Sequence, residues 1–186
     1  MTIINHVEKI FGGIERGWSF EYESHSYNIV ECEGGRLEGV STYCTLGLSR
    51  AVLQIGRGRE ISHEILISVE EDSVPGNVAA LISQVVEQIL AKHEPLKNDQ
   101  VLRRSGVLFK GREFNSFWVK SPFFFGEDAE IYESDDVGGG VCIIVWLVPI
   151  FESEARYIEL RGGEAFEDIL TDLEVDFFSL DRRAVV

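Results

Sequence analysis

The chain has 186 residues, 45% hydrophobic and 26% charged, a composition that excludes a disordered chain and suffices for a core without disulfide or structural metal. Its formal net charge is −15, a field that repels nucleic acid and anionic membrane, speeds encounter with a basic partner and also serves solubility. The acidity is uneven: residues 1–112 carry 15 acids and 12 bases, residues 113–181 carry 17 acids and 3 bases, and Arg182 and Arg183 follow.

Ile3, Ile4, Val7, Ile10 and Phe11 recur at helical spacing and predict a short opening helix stopped by Gly12-Gly13. That opening lacks the basic leader and unbroken apolar core of a secretory signal. Loose alternation from Trp18 to Glu33 predicts one or two strands, and residues 39–46 predict another. Gly47–Arg59, with three glycines and three arginines, is expected to be a mobile connection. Ile61–Val69 is then expected to pair antiparallel with 39–46.

Pro75-Gly76-Asn77 predicts a helix start with Asn77 as N-cap, and Val78, Leu81, Ile82, Val85, Ile89 and Leu90 share its apolar face. Lys92 and His93 suit its C-terminal end, and Pro95 stops it. Val107–Lys110, Phe114–Val119 and Phe123–Phe125 are aromatic-rich strand candidates. Residues 126–140 form an acidic, glycine-rich stretch expected to be a loop. Cys142–Val148 is unbroken and apolar, as a central strand buried on both faces should be. Phe166, Ile169, Leu170 and Leu173 mark a last helix, and Phe177–Leu180 a short strand or turn.

No linker or repeat divides the chain, so one α+β domain over 1–186 is expected: a mainly antiparallel or mixed sheet with helices packed on it. The longest apolar run, Val141 to Phe151, has 11 residues, whereas a membrane helix needs about 20. A cytoplasmic location is expected, with Cys32, Cys44 and Cys142 as reduced core cysteines.

The residues do not assemble a catalytic constellation. Gly47-Leu-Ser49-Arg-Ala51 has the outline of a nucleophile elbow, but Gly56 and Gly58 follow where the elbow needs a helix, and the later histidines, His63 and His93, sit on a strand and at a helix end. His63-Glu64 lacks the second histidine of a zinc-protease motif. Glu21, Glu23 and His25 alternate and suggest one polar strand face without a further metal ligand. Gly56-Arg-Gly58 is no phosphate loop, and the five bases of Lys97–Arg112 face an acidic remainder. No cofactor or metal is expected. The carboxylates Glu127, Asp128, Glu130, Glu133, Asp135 and Asp136 cluster in the expected loop and are the candidate partner-binding residues.

Three ordered stretches carry a resemblance. They are Thr42–Ser49 (TYCTLGLS); His63–Val69 (HEILISV) with a helix-like run after it; and Val141–Ile150 (VCIIVWLVPI) with Glu152, Glu154, a second helix-like run and Leu180–Arg183 (LDRR). Together, from about Ile3 to Arg183, the chain resembles the suppressor of fused domain family. The resemblance implies a suppressor of fused-like fold and a binding protein without catalysis, with Gly47, Ser49, Trp146, Pro149, Asp181 and Arg182 as structural motif positions. Many bacterial members look like immunity proteins of polymorphic toxin systems, which implies a protein partner, a basic toxin domain such as a nuclease. The animal member clamps a peptide by strand addition, which implies the alternative of an acidic regulatory adaptor. From the residues themselves, a small hydrolase using Ser49 or a carboxylate pair, and a housekeeping domain without a toxin partner, stay open.

Overall fold

The computed structural model describes residues 2–56, 58–134, 137 and 140–186. Its elements in chain order are α1 (Ile3–Phe11), β1 (Gly12–Tyr22), β2 (His25–Gly34), β3 (Val40–Leu46), β4 (Leu53–Gln54), β5 (Glu60–Glu70), α2 (Val78–Lys92), β6 (Val101–Arg103), β7 (Ser116–Lys120), β8 (Ile131–Glu133), β9 (Val141–Ile150), α3 (Glu152–Arg161) and α4 (Gly163–Asp172). Among the described residues these strands form one mixed sheet in the order β1-β2-β3-β5-β9-β7-β6, with β4 added on β5 and β8 on β9.

The local sequence explains the elements. Thr2 caps α1 by accepting from the Asn5 N–H at 3.3 Å. Gly12 turns the chain straight from helix into strand at φ +102°, where a Cβ would sit 2.0 Å from the Glu33 carbonyl oxygen, so no larger residue fits. The six apolar positions predicted for α2 are all buried. Asn77 departs from expectation: its side-chain amide donates to the Leu108 carbonyl at 2.8 Å and leaves the helix N–H groups alone, although its carbonyl still accepts from Leu81.

β9 is the centre of the molecule. It pairs parallel with β5 on one side and antiparallel with both β7 and β8, end to end, on the other. Being buried on both faces, it carries apolar residues throughout. Ile65, Ile67, Val145 and Leu147 face a core closed by α2. Leu66, Cys142, Ile144, Trp146 and Val148 face a second core closed by α1, α3 and α4. The three cysteines are buried, and burial pushes the Cys32 thiol up to about 12.

Several segments differ from the sequence expectation. The run from Gly47 to Arg59 is only partly a loop: a 3-10 turn and β4 bury Leu48, Ser49, Ala51 and Leu53 in the core. Val107–Lys110 is a turn region, because Gly106 and Gly111 at φ +87° and +79° break any extended run. Phe123–Phe125 is a 3-10 turn held between Pro122 and Gly126. β6 leaves no signal because its three residues, two half-buried and one exposed, show no alternation. Phe177–Leu180, by contrast, takes the turn of the two forms expected, and its Phe178 carbonyl accepts from Glu70 N–H. Glu21 lies on β1, Glu23 in the hairpin turn at φ +52° and His25 on β2, so they do not share one strand.

Candidate partner-binding surface

The first part of the acidic stretch, Glu127–Glu133, is more ordered than a loop. A 3-10 turn spans Glu127–Ala129 and β8 follows, anchored when the Glu130 carbonyl accepts from Ile144 N–H at 2.7 Å. Glu127 and Glu133 are exposed and Glu130 is half-buried. Asp128 has an internal role. Arg36 grips its carboxylate with both terminal nitrogens, at 2.5 and 2.9 Å, and Lys9 adds a contact at 3.2 Å. The hydrogen bond from Arg36, then that from Lys9, holds the carboxyl well below its ordinary range. Asp128 therefore braces α1 and the β2–β3 connection while its side chain stays half exposed. Asp135 and Asp136 lie outside the described residues.

Three acids are fully buried among the described residues: Glu31, Glu64 and Glu154. A buried charge persists only where its lone pairs are filled. Glu31 takes Tyr43 Oη at 2.6 Å and Arg16 Nε at 2.5 Å. Glu64 takes Thr45 Oγ1 at 2.5 Å and the backbone N–H groups of Gly47 and Ser49 at 2.9 and 3.1 Å, with the Ser49 hydroxyl also bonded to it. Gly47 sits at φ +101°, a left-handed geometry suited to glycine, and this turns the chain so that both N–H groups converge on one oxygen. Burial pushes the Glu64 carboxyl up, and these hydrogen bonds pull it back only in part.

Ser49 is thus a buried clasp on Glu64, and the elbow outline at Gly47–Ala51 is a strand-terminating turn. His63, the neighbour of Glu64, is buried and holds the Ile143 carbonyl through Nδ1 at 3.0 Å. Burial lowers its pKa. No group of three or more His, Cys, Asp or Glu side chains that could hold a metal occurs among the described residues.

Glu154 closes the other end. Its carboxylate accepts Arg182 Nη1 and Nη2 at 2.6 and 2.9 Å and the N–H of Phe151 at 3.0 Å, while Arg182 also donates to the Pro149 carbonyl at 2.9 Å. Asp181, next in chain, pairs with Arg112 at the surface. The motif positions Pro149, Asp181 and Arg182 are thereby brought together, whereas Gly47 and Ser49 serve a separate clasp.

Trp146 belongs to neither clasp. Its ring is fully buried, its indole Nε1 has no hydrogen-bond partner, and it stacks on Phe178 at 5.3 Å. Phe123, Phe124 and Phe177 surround it with ring centroids at 5.9–6.1 Å. Phe123 and Phe124 are 45% and 42% exposed. They form the floor of an open groove of about 700 Å³, whose rim carries Lys120, Glu130 and Glu167. Lys120 is neutralised from within: it pairs with Asp99 at 3.1 Å and with Glu167 and lies 4.7 Å over the Trp118 ring. The far wall is α4, which bears Glu164, Glu167, Asp168 and Asp172 and no base.

The suppressor of fused protein family matches residues 23–183. The chain belongs to the suppressor of fused protein family. Immunity protein YqcF of Bacillus subtilis (strain 168) is 25% identical over 190 aligned residues, covering 95% of this chain and 91% of that protein. Among solved structures, a suppressor of fused homologue from Neisseria gonorrhoeae FA 1090 superposes with TM-score 0.75 at 14% identity, covering 98% of this chain and 93% of that one. A Sufu–Fu complex gives 0.71 at 12% identity, with 98% and 90% covered. Drosophila Suppressor of Fused gives 0.62 at 13%, with 98% of this chain but 50% of that one covered. The α+β architecture with a mixed sheet is the fold of this family.

The aromatic floor escaped the sequence reading. A run of three phenylalanines reads as strand by propensity; the signal that contradicts it is Pro122 before and Gly126 after, which confine the run to a single turn and leave two rings outside.

Proposed function

We propose that this member of the suppressor of fused family is a non-catalytic, immunity-type protein that binds and neutralises a basic cognate toxin domain in the cytoplasm, acting as one domain and without nucleic acid or membrane as partner. The observation that carries the reading is the end-to-end similarity to a protein named as an immunity protein, over 95% of this chain. Two further features support it. The acids that catalysis would need in an apolar pocket, Glu31, Glu64 and Glu154, are each saturated by internal donors. The remaining acids of residues 113–181 are mostly on the surface, where they attract a basic partner and repel phosphate.

The test is co-expression with the toxin domain encoded beside this gene in its native host. Growth restored by this chain, together with a stable complex on gel filtration, is the expected result. A toxic neighbour that is neither bound nor neutralised at micromolar concentrations contradicts the reading.

A second reading, an adaptor that takes a peptide as an added strand, draws on β1. This strand of 11 residues ends the sheet and is largely exposed, the geometry that strand addition requires. The charged side chains Glu15, Arg16 and Glu21 along it and its bulge between Ile14 and Arg16 are features that discourage unwanted pairing.

A further inference from the structure

We propose that the groove over Trp146 receives an arginine-bearing segment of the basic protein partner, with aliphatic stems on the phenylalanine floor and guanidinium groups against Glu130 and Glu167. The inference rests on the binding reading above and gives it a place on the molecule. Three observations converge on it.

The first is the exposed floor. Phe123 and Phe124 stand side by side with ring centroids 4.5 Å apart, and Phe177 lies 5.4 Å from Phe124. Adjacent exposed rings backed by a fully buried tryptophan form a rigid apolar patch of the kind that marks an interaction site. The second is the charge around it. Glu130 lies on one side and Glu167 on the other, and beyond Glu167 α4 presents Glu164, Asp168 and Asp172 with no base. An apolar floor between acidic walls complements a segment that is both apolar and cationic. It repels phosphate and the anionic surface of a membrane.

The third is a demonstration inside the protein. Lys120 already lies over the Trp118 ring at 4.7 Å while pairing with two carboxylates. The rim of the groove thus already holds one cation between acids and a buried ring behind it. Arginine suits the vacant side better than lysine, because its planar, weakly hydrated guanidinium stacks on aromatic faces and takes a carboxylate with two nitrogens.

The test uses the full chain and needs no toxin. A six-residue amide alternating arginine and leucine is titrated at low salt, and binding is read from the indole N–H resonances of Trp18, Trp118 and Trp146 and from backbone amides. The expected result is a shift of the Trp146 indole and of Phe123, Phe124 and Thr171, with Trp18 unmoved. Phe123→Ser and, separately, Glu130→Gln each weaken binding about tenfold, whereas Glu15→Gln with Glu21→Gln, on the opposite end of the sheet, leaves it within about twofold. Glu130→Gln leaves the aromatic floor intact, so the test survives if Phe123→Ser perturbs folding.

The proposal is overturned if the glutamate–leucine counterpart binds as well, if shifts gather at Trp18, or if Glu130→Gln binds like the parent. It is also overturned if sedimentation shows the parent chain dimerising through this face, since the occupant is then a second copy. A failed titration beside full protection in co-expression removes the groove and keeps the immunity reading. A successful titration without protection does the reverse.

Discussion

Glu154 and Arg182, 28 residues apart in sequence, meet at 2.6 Å where water is excluded: the glutamate side chain is fully buried and the arginine side chain 7% exposed. Arg182 also lies 5.1 and 5.0 Å over the rings of Phe114 and Phe151. The pair ties the chain after α4 back to the start of α3, where Glu154 fills the otherwise orphaned Phe151 N–H. Removing one partner strands the other charge. Arg182→Met should lower unfolding free energy by about 3–5 kcal/mol, and Glu154→Leu combined with Arg182→Met should recover most of that loss. Urea denaturation of the single and double variants checks this; a single variant as stable as the parent would show that the clasp contributes nothing.

Ser49→Ala tests the non-catalytic reading. The hydroxyl is buried against Glu64, so its loss should cost about 1 kcal/mol of stability. Protection in co-expression should be unchanged, and a fluorophosphonate probe should not label the parent chain at Ser49, because the hydroxyl is buried against Glu64 where neither probe nor substrate reaches it. Covalent labelling there would establish an enzyme.

The two kinds of carboxylate predict opposite pH dependences. Glu64 has its pKa raised by burial above the ordinary 4.5. Its contribution is fully present below that value and is lost as pH rises through the raised one. Asp128 has its pKa lowered by Arg36 and Lys9 from the ordinary 3.8. Its contribution is present above that value and is lost as pH falls through the lowered one. The stability of the parent minus that of Glu64→Gln should therefore decline as pH rises above 4.5, while the parent minus Asp128→Asn should decline as pH falls below 3.8. Thermal melts from pH 2 to pH 8 follow the Glu64 trend and the onset of the Asp128 trend, and a flat difference for Glu64→Gln would contradict its assignment.

What was legible in the sequence follows from where periodicity is strong. α1 and α2 repeat apolar residues every third to fourth position, and β3, β5 and β9 are buried along nearly their whole length, so helical period and apolar, β-branched runs located them. The parallel pairing of β5 with β9 was not legible, because the hydrogen-bonding partner of a strand leaves no mark on its own residues. The acidic residues were visible as a cluster, but their division between bracing and free surface depends on Arg36, which is 92 residues from Asp128. Ser49 and Arg182 came only as structural motif positions implied by the family resemblance, and their clasp roles did not; Glu64 and Glu154, the buried acids that explain them, are unremarkable letters in a chain with 32 acids.

One cooperative domain is expected, and the fold narrows where proteases should enter. Within Gly47–Arg59 the first half is buried by Leu48, Ala51 and Leu53, while Ile55 is 38% exposed and Gly56 and Arg59 are exposed. Trypsin should therefore cut at Arg59 and spare Arg50, which lies in the 3-10 turn. Urea unfolding followed by fluorescence and by circular dichroism should give coincident transitions. A stable fragment ending between Val69 and Gly76 would reveal a boundary inside the chain.

The acidic stretch should steer the partner without holding the fold. Neutralising Glu127, Glu130, Glu133, Asp135 and Asp136 while keeping Asp128 removes five charges and leaves the Arg36–Asp128 brace in place. Exposed charges contribute little to stability, so the melting temperature should stay close to that of the parent. Association with the toxin domain, followed by stopped flow at low salt, should slow about tenfold and lose much of its salt dependence, because long-range attraction acts on the encounter. Adding Asp128→Asn to this variant should lower the melting temperature, since Arg36 and Lys9 then lose their shared acceptor. If the five-fold variant associates as fast as the parent at low salt, the stretch serves only to solvate the protein, and steering must come from the acids of α4.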